Sequence, residues 1–200
     1  LIGLMLARLW KVPVVATIAG GDIPDDFDPR PSIIWEEGKE LIPNTLRQSD
    51  VVNCVSKALC RDLEKILPDI DRINTLYAGI DTLFIDEIEA EKIKNQFILS
   101  LRRLDPSKGL DILIKAFDLI KDKFPELHLV VAGEGSEEQK LKNIVREYGL
   151  DNRVIFLGNI ELKRGIALLK GSVATVVPSL SEGGGLVNIE AQAAGCPVIA

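Results

Sequence analysis

Short apolar runs alternate with longer amphipathic stretches along the chain from Gln96 onward. The stretch at residues 110–124 and the stretch after Ser136 repeat their apolar residues at the three- and four-residue spacing of a helix face. Continuous apolar strands separated by amphipathic helices are typical of a parallel sheet covered on both faces. This half of the chain therefore predicts a doubly wound α/β domain. Its predicted strands are residues 97–101, 127–132, 154–157, 173–177 and 197–200.

The helix that follows the second of these strands carries a signal at each end. Ser136 followed by Gln139 predicts a capping box, in which the two residues satisfy free N–H groups of the first turn. Gly149 predicts the end of the helix, because glycine readily adopts the left-handed conformation that closes a helix.

The first half of the chain has a less complete pattern. It predicts a buried strand at residues 12–18, a turn at Gly20, Gly21 and Asp22, and then a loop rich in Pro and Asp. The other predicted elements are helices at residues 36–47 and 57–66 and strands at residues 51–55 and 73–77. A polar, acidic stretch separates the halves, and we expect one domain at residues 1–90 and a second at residues 91–200, both truncated in a fragment of a longer protein.

Composition narrows the class of protein. Of the 200 residues, 46% are hydrophobic and 27% charged, which excludes an extended disordered chain. The net charge of −6 and the 5% aromatic content disfavour nucleic-acid binding. One His and three Cys without C-x-x-C spacing indicate neither a metal site nor a disulfide framework, so we expect buried, reduced thiols at Cys54, Cys60 and Cys196. The apolar first ten residues are too short to span a bilayer.

The segment from Pro178 to Pro197 carries the strongest candidate chemistry. It follows a predicted strand, passes through Gly183, Gly184 and Gly185, and enters a short helix. Glycines at the carboxyl edge of a parallel sheet let the backbone approach a ligand, and the first N–H groups of a helix attract phosphate.

Two acids flank this glycine turn. Glu182 precedes it and Glu190 lies in the helix, a separation that corresponds to about 12 Å on a continuous helix. If the loop folds back, both acids face one ligand, and since carboxylates repel phosphate, their partners are then the hydroxyls of a sugar and a ribose. The alternative is a surface acid on a loop and an acid on a helix face, and spacing alone leaves both interpretations open.

A second candidate is the basic loop, which we define as residues 102–109 after the first strand of this half. Its cations Arg102, Arg103 and Lys108 lie at the same sheet edge as the glycine turn and suit a diphosphate, with an ordinary solvated loop as the alternative. Gly133 follows the next strand and opens a Gly-x-Gly pattern, but the third glycine of a dinucleotide fingerprint is missing. A tight turn between strand and helix is the better interpretation of Gly133.

Taken in order, these segments resemble the retaining family 4 glycosyltransferases of the GT-B fold. The basic loop, R-R-L-D-P-S-K-G, is similar to the family's G-R-L-x-x-x-K-G, and the stretch from Pro178 to Val198 matches its P-S-x-x-E-G-x-G-L-x-x-x-E-A signature. The turn at residues 79–81 resembles the crossover between the two domains of that fold. The resemblance implies two Rossmann-like domains, the first for the acceptor and the second for a nucleotide sugar.

The resemblance also implies roles for individual residues. Arg103 and Lys108 would hold the donor diphosphate, and Glu182 would contact the transferred sugar; these three form the expected catalytic set. The other expected donor-binding residues are Gly133, Gly184, Gly185, Leu186 and Glu190, the last of these on the ribose. The expected acceptor-side loop is Gly20, Gly21 and Asp22. The chain departs from the family pattern at Ala19, where many members carry His, at Ala78 in the crossover, and at Arg102, where Gly is usual.

The function that this resemblance implies is transfer of a hexose from a nucleotide sugar, such as a UDP- or GDP-hexose, to a sugar or lipid-linked acceptor with retention of configuration. We expect no cofactor, metal ion or nucleic-acid partner. The 200-residue piece alone is expected to be inactive. The expected location is the cytoplasm, and peripheral contact with a membrane is left open. One alternative is a non-catalytic nucleotide-sugar-binding or scaffold protein of the same fold, which Ala19 favours. Another is a nicotinamide-dependent oxidoreductase, which the incomplete glycine fingerprint disfavours.

Overall fold

The computed structural model describes residues 2–20, 38 and 40–200. The predicted turn residues Gly21 and Asp22, and the loop predicted after them, lie outside the described residues. The chain divides into two compact units, Leu1–Gly79 with Ser181–Gly184, and Ile80–Leu180 with Gly185–Ala200.

The first unit contains a three-stranded parallel sheet in the order β1-β2-β3. Its described elements are α1 Ile2–Trp10, β1 Val15–Ile18, α2 Leu41–Gln48, β2 Val51–Cys54, α3 Lys57–Ile66 and β3 Ile73–Thr75. Helix α3 has the predicted bounds, and the hydroxyl of Ser56 caps it by accepting from the N–H of Leu59 at 3.2 Å. The strand predicted at residues 12–18 forms only over Val15–Ile18. Its predicted burial is confirmed at Ile18, which is 3% exposed, and wrong at Val15, which is 63% exposed.

The second unit contains a five-stranded sheet in the order β6-β5-β4-β7-β8, with every pair parallel. Its elements are α4 Thr82–Asp86, β4 Phe97–Leu101, α5 Leu110–Ile120, β5 His128–Ala132, α6 Glu138–Glu147, β6 Val154–Gly158, α7 Leu162–Gly171, β7 Ala174–Val176, α8 Leu186–Ala193 and β8 Val198–Ile199, with a short 3₁₀ turn at Pro106–Lys108. Along β5, Leu129 and Val131 belong to one hydrophobic cluster, whereas Val130 and Ala132 belong to another. Since successive strand residues point to opposite faces, the sheet carries a core on each face, and the predicted doubly wound domain is confirmed.

Helix α6 begins differently from the prediction. Its N-cap is Glu137, in a helical conformation and without a side-chain capping bond, so the predicted capping box of Ser136 and Gln139 does not form. The N–H of Glu137 instead donates to the carbonyl of Leu104 at 2.9 Å, which ties the start of α6 to the basic loop. The predicted stop at Gly149 is confirmed by its left-handed φ of +62°.

All three cysteines are free and buried, as the sequence predicts. Burial raises the pKa of Cys54 to about 12. The Sγ of Cys60 lies 3.0 Å from the hydroxyl of Thr75, so this thiol is engaged inside the first unit.

Candidate functional site

The candidate site lies where the sheet of the second unit changes its winding direction. The chain runs outward from β4 through β5 to β6 on one side, and β7 and β8 lie on the other side of β4. Loops that leave the carboxyl ends of β4 and β7 therefore flank a topological switch point, where open α/β sheets bind ligands. The basic loop leaves β4, and residues 177–180 leave β7.

Close backbone packing holds these loops together. A Cβ at Gly133, whose φ is +135°, would overlap the carbonyl oxygen of Arg102, and a Cβ at Gly109, whose φ is +62°, would overlap that of Pro178. The N–H of Leu180 also donates to the carbonyl of Ser107 at 2.9 Å. Gly133 therefore serves as the tight strand–helix turn that the sequence favours, and the two loops at the switch point are in direct backbone contact.

The three cations of the basic loop have different environments. Arg103 is 63% exposed, and its Nη1 lies 3.2 Å from the carboxylate of Asp105. Lys108 is half-buried at the end of the 3₁₀ turn, and its N–H donates to the carbonyl of Asp105 at 3.0 Å. The side chain of Arg102 is buried, and its Nη1 donates to the hydroxyl of Ser179. The sequence groups these three cations together, but the structure separates Arg102 from the other two.

Helix α8 begins directly after the glycine turn. Its N-cap is Gly185, with φ of +57° and no capping side chain, and its first residue, Leu186, is 52% exposed. The first N–H groups of a helix have no partners within the helix, so this start can meet an anion. Glu190 lies one turn further along and is half-buried, and burial raises its pKa above the usual value.

The rest of the glycine segment belongs to the first unit. Gly183 packs against the carbonyl oxygen of Ala19, and a Cβ at Gly20 would lie 3.1 Å from the Cα of Gly183. A Cβ at Gly184 would lie 3.1 Å from a methyl carbon of Val55. The glycines at 20 and 183 thus let two stretches of protein backbone approach each other, a use that the sequence pattern did not predict.

The structure brings some of the predicted site residues together. Arg103, Lys108 and Gly133 lie on loops at one edge of the second unit, and Gly20 lies against Gly183 in the first. Glu182 is exposed and belongs to the first unit, whereas Glu190 belongs to the second, so their shared ligand stays a prediction.

Two further findings concern metal ions and membranes. In the part of the chain that the structure describes, no cluster of His, Cys, Asp or Glu side chains is suited to hold a metal ion. None of the described helices has both the length and the apolar character that crossing a bilayer requires. The expected independence of metal and the expected cytoplasmic location stay predictions.

The sheet order and the switch-point loops place the second unit among α/β domains of the doubly wound type. The chain belongs to the family of glycosyl transferases group 1, whose sequence model matches residues 81–200, more than half of the chain. An uncharacterized glycosyltransferase of Methanocaldococcus jannaschii is 34% identical in a match that covers 75% of this chain and 40% of that protein. A D-inositol 3-phosphate glycosyltransferase of Xylanimonas cellulosilytica is 27% identical in a match that covers 99% of this chain and 52% of that protein.

Solved structures agree in fold. Sucrose-phosphate synthase from Thermosynechococcus elongatus superposes with a TM-score of 0.79 at 22% identity, covering 100% of this chain and 52% of that one. Anabaena HepE in complex with UDP and glucose gives a TM-score of 0.78 at 20% identity, covering 100% of this chain and 55% of that one. The fold is thus of the GT-B type, as the sequence predicts, and the chain spans about half the length of the curated relatives it matches.

Proposed function

We propose that the chain is part of a retaining family 4 glycosyltransferase that moves a hexose from a nucleotide-diphosphate sugar to a sugar or lipid-linked acceptor. The observation that carries the proposal is the packing of the basic loop on the Gly133 turn and on residues 177–180 at the switch point of the second unit. Membership of the glycosyl transferases group 1 family supports it, and so does the shared fold with HepE, which forms a complex with UDP and glucose.

The chemistry that we assign to the basic loop is stabilisation of the leaving group. When the sugar departs, negative charge develops on the nucleoside diphosphate, and fixed cations lower the energy of that state. Arg103 suits this task because its side chain is 63% exposed, so a ligand can reach the guanidinium although it is paired with the Asp105 side chain, which is only 15% exposed. A diphosphate can therefore compete for the guanidinium. Lys108 and the positive end of the α8 dipole would add to the same stabilisation.

The two acids have separate roles in this proposal. Glu182 accepts hydrogen bonds from hydroxyls of the transferred sugar, and Glu190 accepts them from the ribose. Hydrogen bonds from ribose hydroxyls would favour the charged form of Glu190, whereas burial disfavours that form and raises the pKa. The acceptor hydroxyl attacks from the face that the diphosphate leaves, and the diphosphate takes its proton, so no carboxylate nucleophile is required, unlike in the retaining hydrolases.

A second candidate function is nucleotide-sugar binding without catalysis. Ala19 is exposed, and its carbonyl oxygen lies against Gly183 next to Glu182. Many family members carry His at the corresponding position, and a methyl group can neither donate nor accept a hydrogen bond. Binding without turnover would follow if the family reaction depends on that His.

A screen of nucleotide sugars against the full-length protein tests the proposal, with E182A as the site variant and E147A, an exposed acid on α6, as the matched control. We expect turnover of one donor without added metal, a loss of about 100-fold in kcat for E182A, and UDP or GDP binding within about threefold of the native protein. E147A should behave like the native protein. Unchanged turnover in E182A would remove Glu182 from the site.

The remaining outcomes separate the alternatives. Binding of UDP or GDP with no turnover of any donor would favour the non-catalytic function. Binding of a nicotinamide dinucleotide in place of UDP and GDP would overturn both sugar-based functions and favour an oxidoreductase.

A further inference from the structure

Arg102 and Arg103 are neighbours in the chain with opposite environments. Arg102 is only 8% exposed, whereas the side chain of Arg103 is 63% exposed. The Nη1 of Arg102 donates to the hydroxyl of Ser179, which lies 77 residues further along the chain. A buried guanidinium therefore joins the loop that follows β4 to the loop that follows β7.

The backbone of Arg102 is held on both sides. Its N–H donates to the carbonyl of Ala132 at 2.9 Å, continuing the ladder between β4 and β5, and its own carbonyl lies over Gly133, where a Cβ would overlap it. Because the backbone cannot shift, the direction in which the long side chain leaves it is set. That direction leads to Ser179, and Arg103, the next residue, is left exposed.

The same two loops meet along the backbone. Ser107 is buried, and its carbonyl accepts from the N–H of Leu180 at 2.9 Å, while Gly109 packs against Pro178. These contacts bring the loops together at residues 107–109, whereas the contact of Arg102 with Ser179 joins them at the start of the basic loop. The basic loop is therefore attached to the β7 loop near both of its ends, with Arg103 between the attachments.

We propose that Arg102 is a positioning residue, which acts through Ser179 to hold the basic loop in the conformation that presents Arg103 and Lys108 to the diphosphate. The proposal rests on the proposed function. Arginine suits the role because its planar guanidinium offers several donors in a fixed geometry and keeps its charge when buried. Gly is usual at this position in the family pattern that the sequence resembles, and a glycine could not make this contact because it has no side chain.

Calorimetric titration of the full-length protein with UDP and with GDP tests the proposal in R102A, S179A and the double variant. We expect each single change to weaken the binding of the better nucleotide by about tenfold, because only about a tenth of the molecules would then hold the basic loop in the binding conformation. The double variant should also lose about tenfold, because both single changes break the same contact. An additive loss of about 100-fold would overturn the proposal, since Arg102 would then act independently of Ser179.

The control is R153A, which removes a structural arginine at the opposite edge of the same sheet. Arg153 donates to the carbonyls of Leu127 and Phe124, so its loss should lower the melting temperature and leave nucleotide affinity unchanged. If R102A and S179A lower only the melting temperature in the same way, Arg102 is structural and the proposal is wrong. Failure of the proposed function is distinct, because the native protein would then bind neither UDP nor GDP.

Discussion

At the carboxyl edge of the five-stranded sheet, glycines let loops pack backbone against backbone. At the amino edge one such contact also occurs, between Gly171 and the carbonyl of Glu91, but long cationic side chains hold the loops as well. Gly133 and Gly109 let neighbouring carbonyls approach at the carboxyl edge. At the amino edge, Arg153 donates to the carbonyl of Leu127 at 2.9 Å and to that of Phe124 at 2.7 Å. Lys170, at the end of α7, donates to the carbonyl of Ile88 at 2.7 Å.

This difference shows how the two edges of one sheet can have different uses, ligand binding at the carboxyl edge and stabilisation of the fold at the amino edge. Where glycine and backbone contacts hold the loops, as around Arg103, a cationic side chain stays exposed to a ligand. Where a cationic side chain donates hydrogen bonds to loop carbonyls, as Arg153 does, it stabilises the fold and is not available to bind a ligand. Arg102 is a cation at the carboxyl edge that also contacts another loop, but it does so through the side-chain hydroxyl of Ser179 and not through a backbone carbonyl.

The largest effect should come from adding a methyl group at Gly133. G133A forces a residue with a Cβ into φ of +135° and into the carbonyl of Arg102, so we expect a loss of about 4 kcal/mol in the free energy of unfolding. The comparison is G149A at the amino edge, where φ is +62° and nothing lies within 4 Å of the added carbon, with an expected loss of about 1 kcal/mol. Urea denaturation measures both, and equal losses would mean that the two edges tolerate side chains alike.

The next effect concerns the exposed cation at the carboxyl edge. R103A should lower kcat of the full-length enzyme by about 100-fold, because it removes charge stabilisation of the departing diphosphate, while the melting temperature changes little for so exposed a side chain. R146A removes another exposed arginine, at the end of α6, and should keep kcat within about twofold. Steady-state kinetics with the donor found in the screen measure both variants, and a kcat for R103A close to that of R146A would contradict the role.

The smallest effect concerns Glu190 and has opposite signs for stability and binding. Burial raises its pKa in the folded state above the usual 4.5, so stability falls as pH rises between the unfolded and the folded pKa, and the penalty remains at neutral pH. E190Q removes that charge and should be slightly more stable than the native protein at pH 7, with the advantage vanishing below about pH 4. The variant should bind UDP or GDP more weakly at pH 7, because the ribose loses a charged acceptor. Melting curves and titrations across pH measure both, and a less stable E190Q at pH 7 would contradict the assigned cause.

Much of the second unit was predictable from its sequence because local signals and the fold agree there. Strand β4 has the predicted bounds, since a buried central strand shows as a short, mostly apolar run, here interrupted only by Ser100. Strand β1 shows the limit of that signal. Its apolar run predicts burial throughout, but the burial of its residues differs, with Ile18 buried and Val15 exposed, and the sequence pattern does not distinguish the two.

The candidate site was predictable to a smaller extent. Spacing placed Arg103, Lys108 and Gly133 correctly on loops at one sheet edge, because each follows a strand of one parallel sheet. The contact of Arg102 with Ser179 was not predictable, since 77 residues separate the partners and neither belongs to a regular element. Likewise, no local pattern shows that the first turn of α6 is held by the carbonyl of Leu104, which accepts from the N–H of Glu137, and not by a capping bond from the side chain of Ser136.

The burial of every native thiol makes this protein convenient for chemical labelling. Cys54, Cys60 and Cys196 are shielded from solvent, and a thiol whose pKa is about 12, such as that of Cys54, supplies almost no thiolate near neutral pH. A cysteine introduced at exposed Ser136 would then react with a maleimide dye under native conditions without prior removal of the others. That position follows Gly133 at the carboxyl edge, so its fluorescence could report the arrival of a nucleotide.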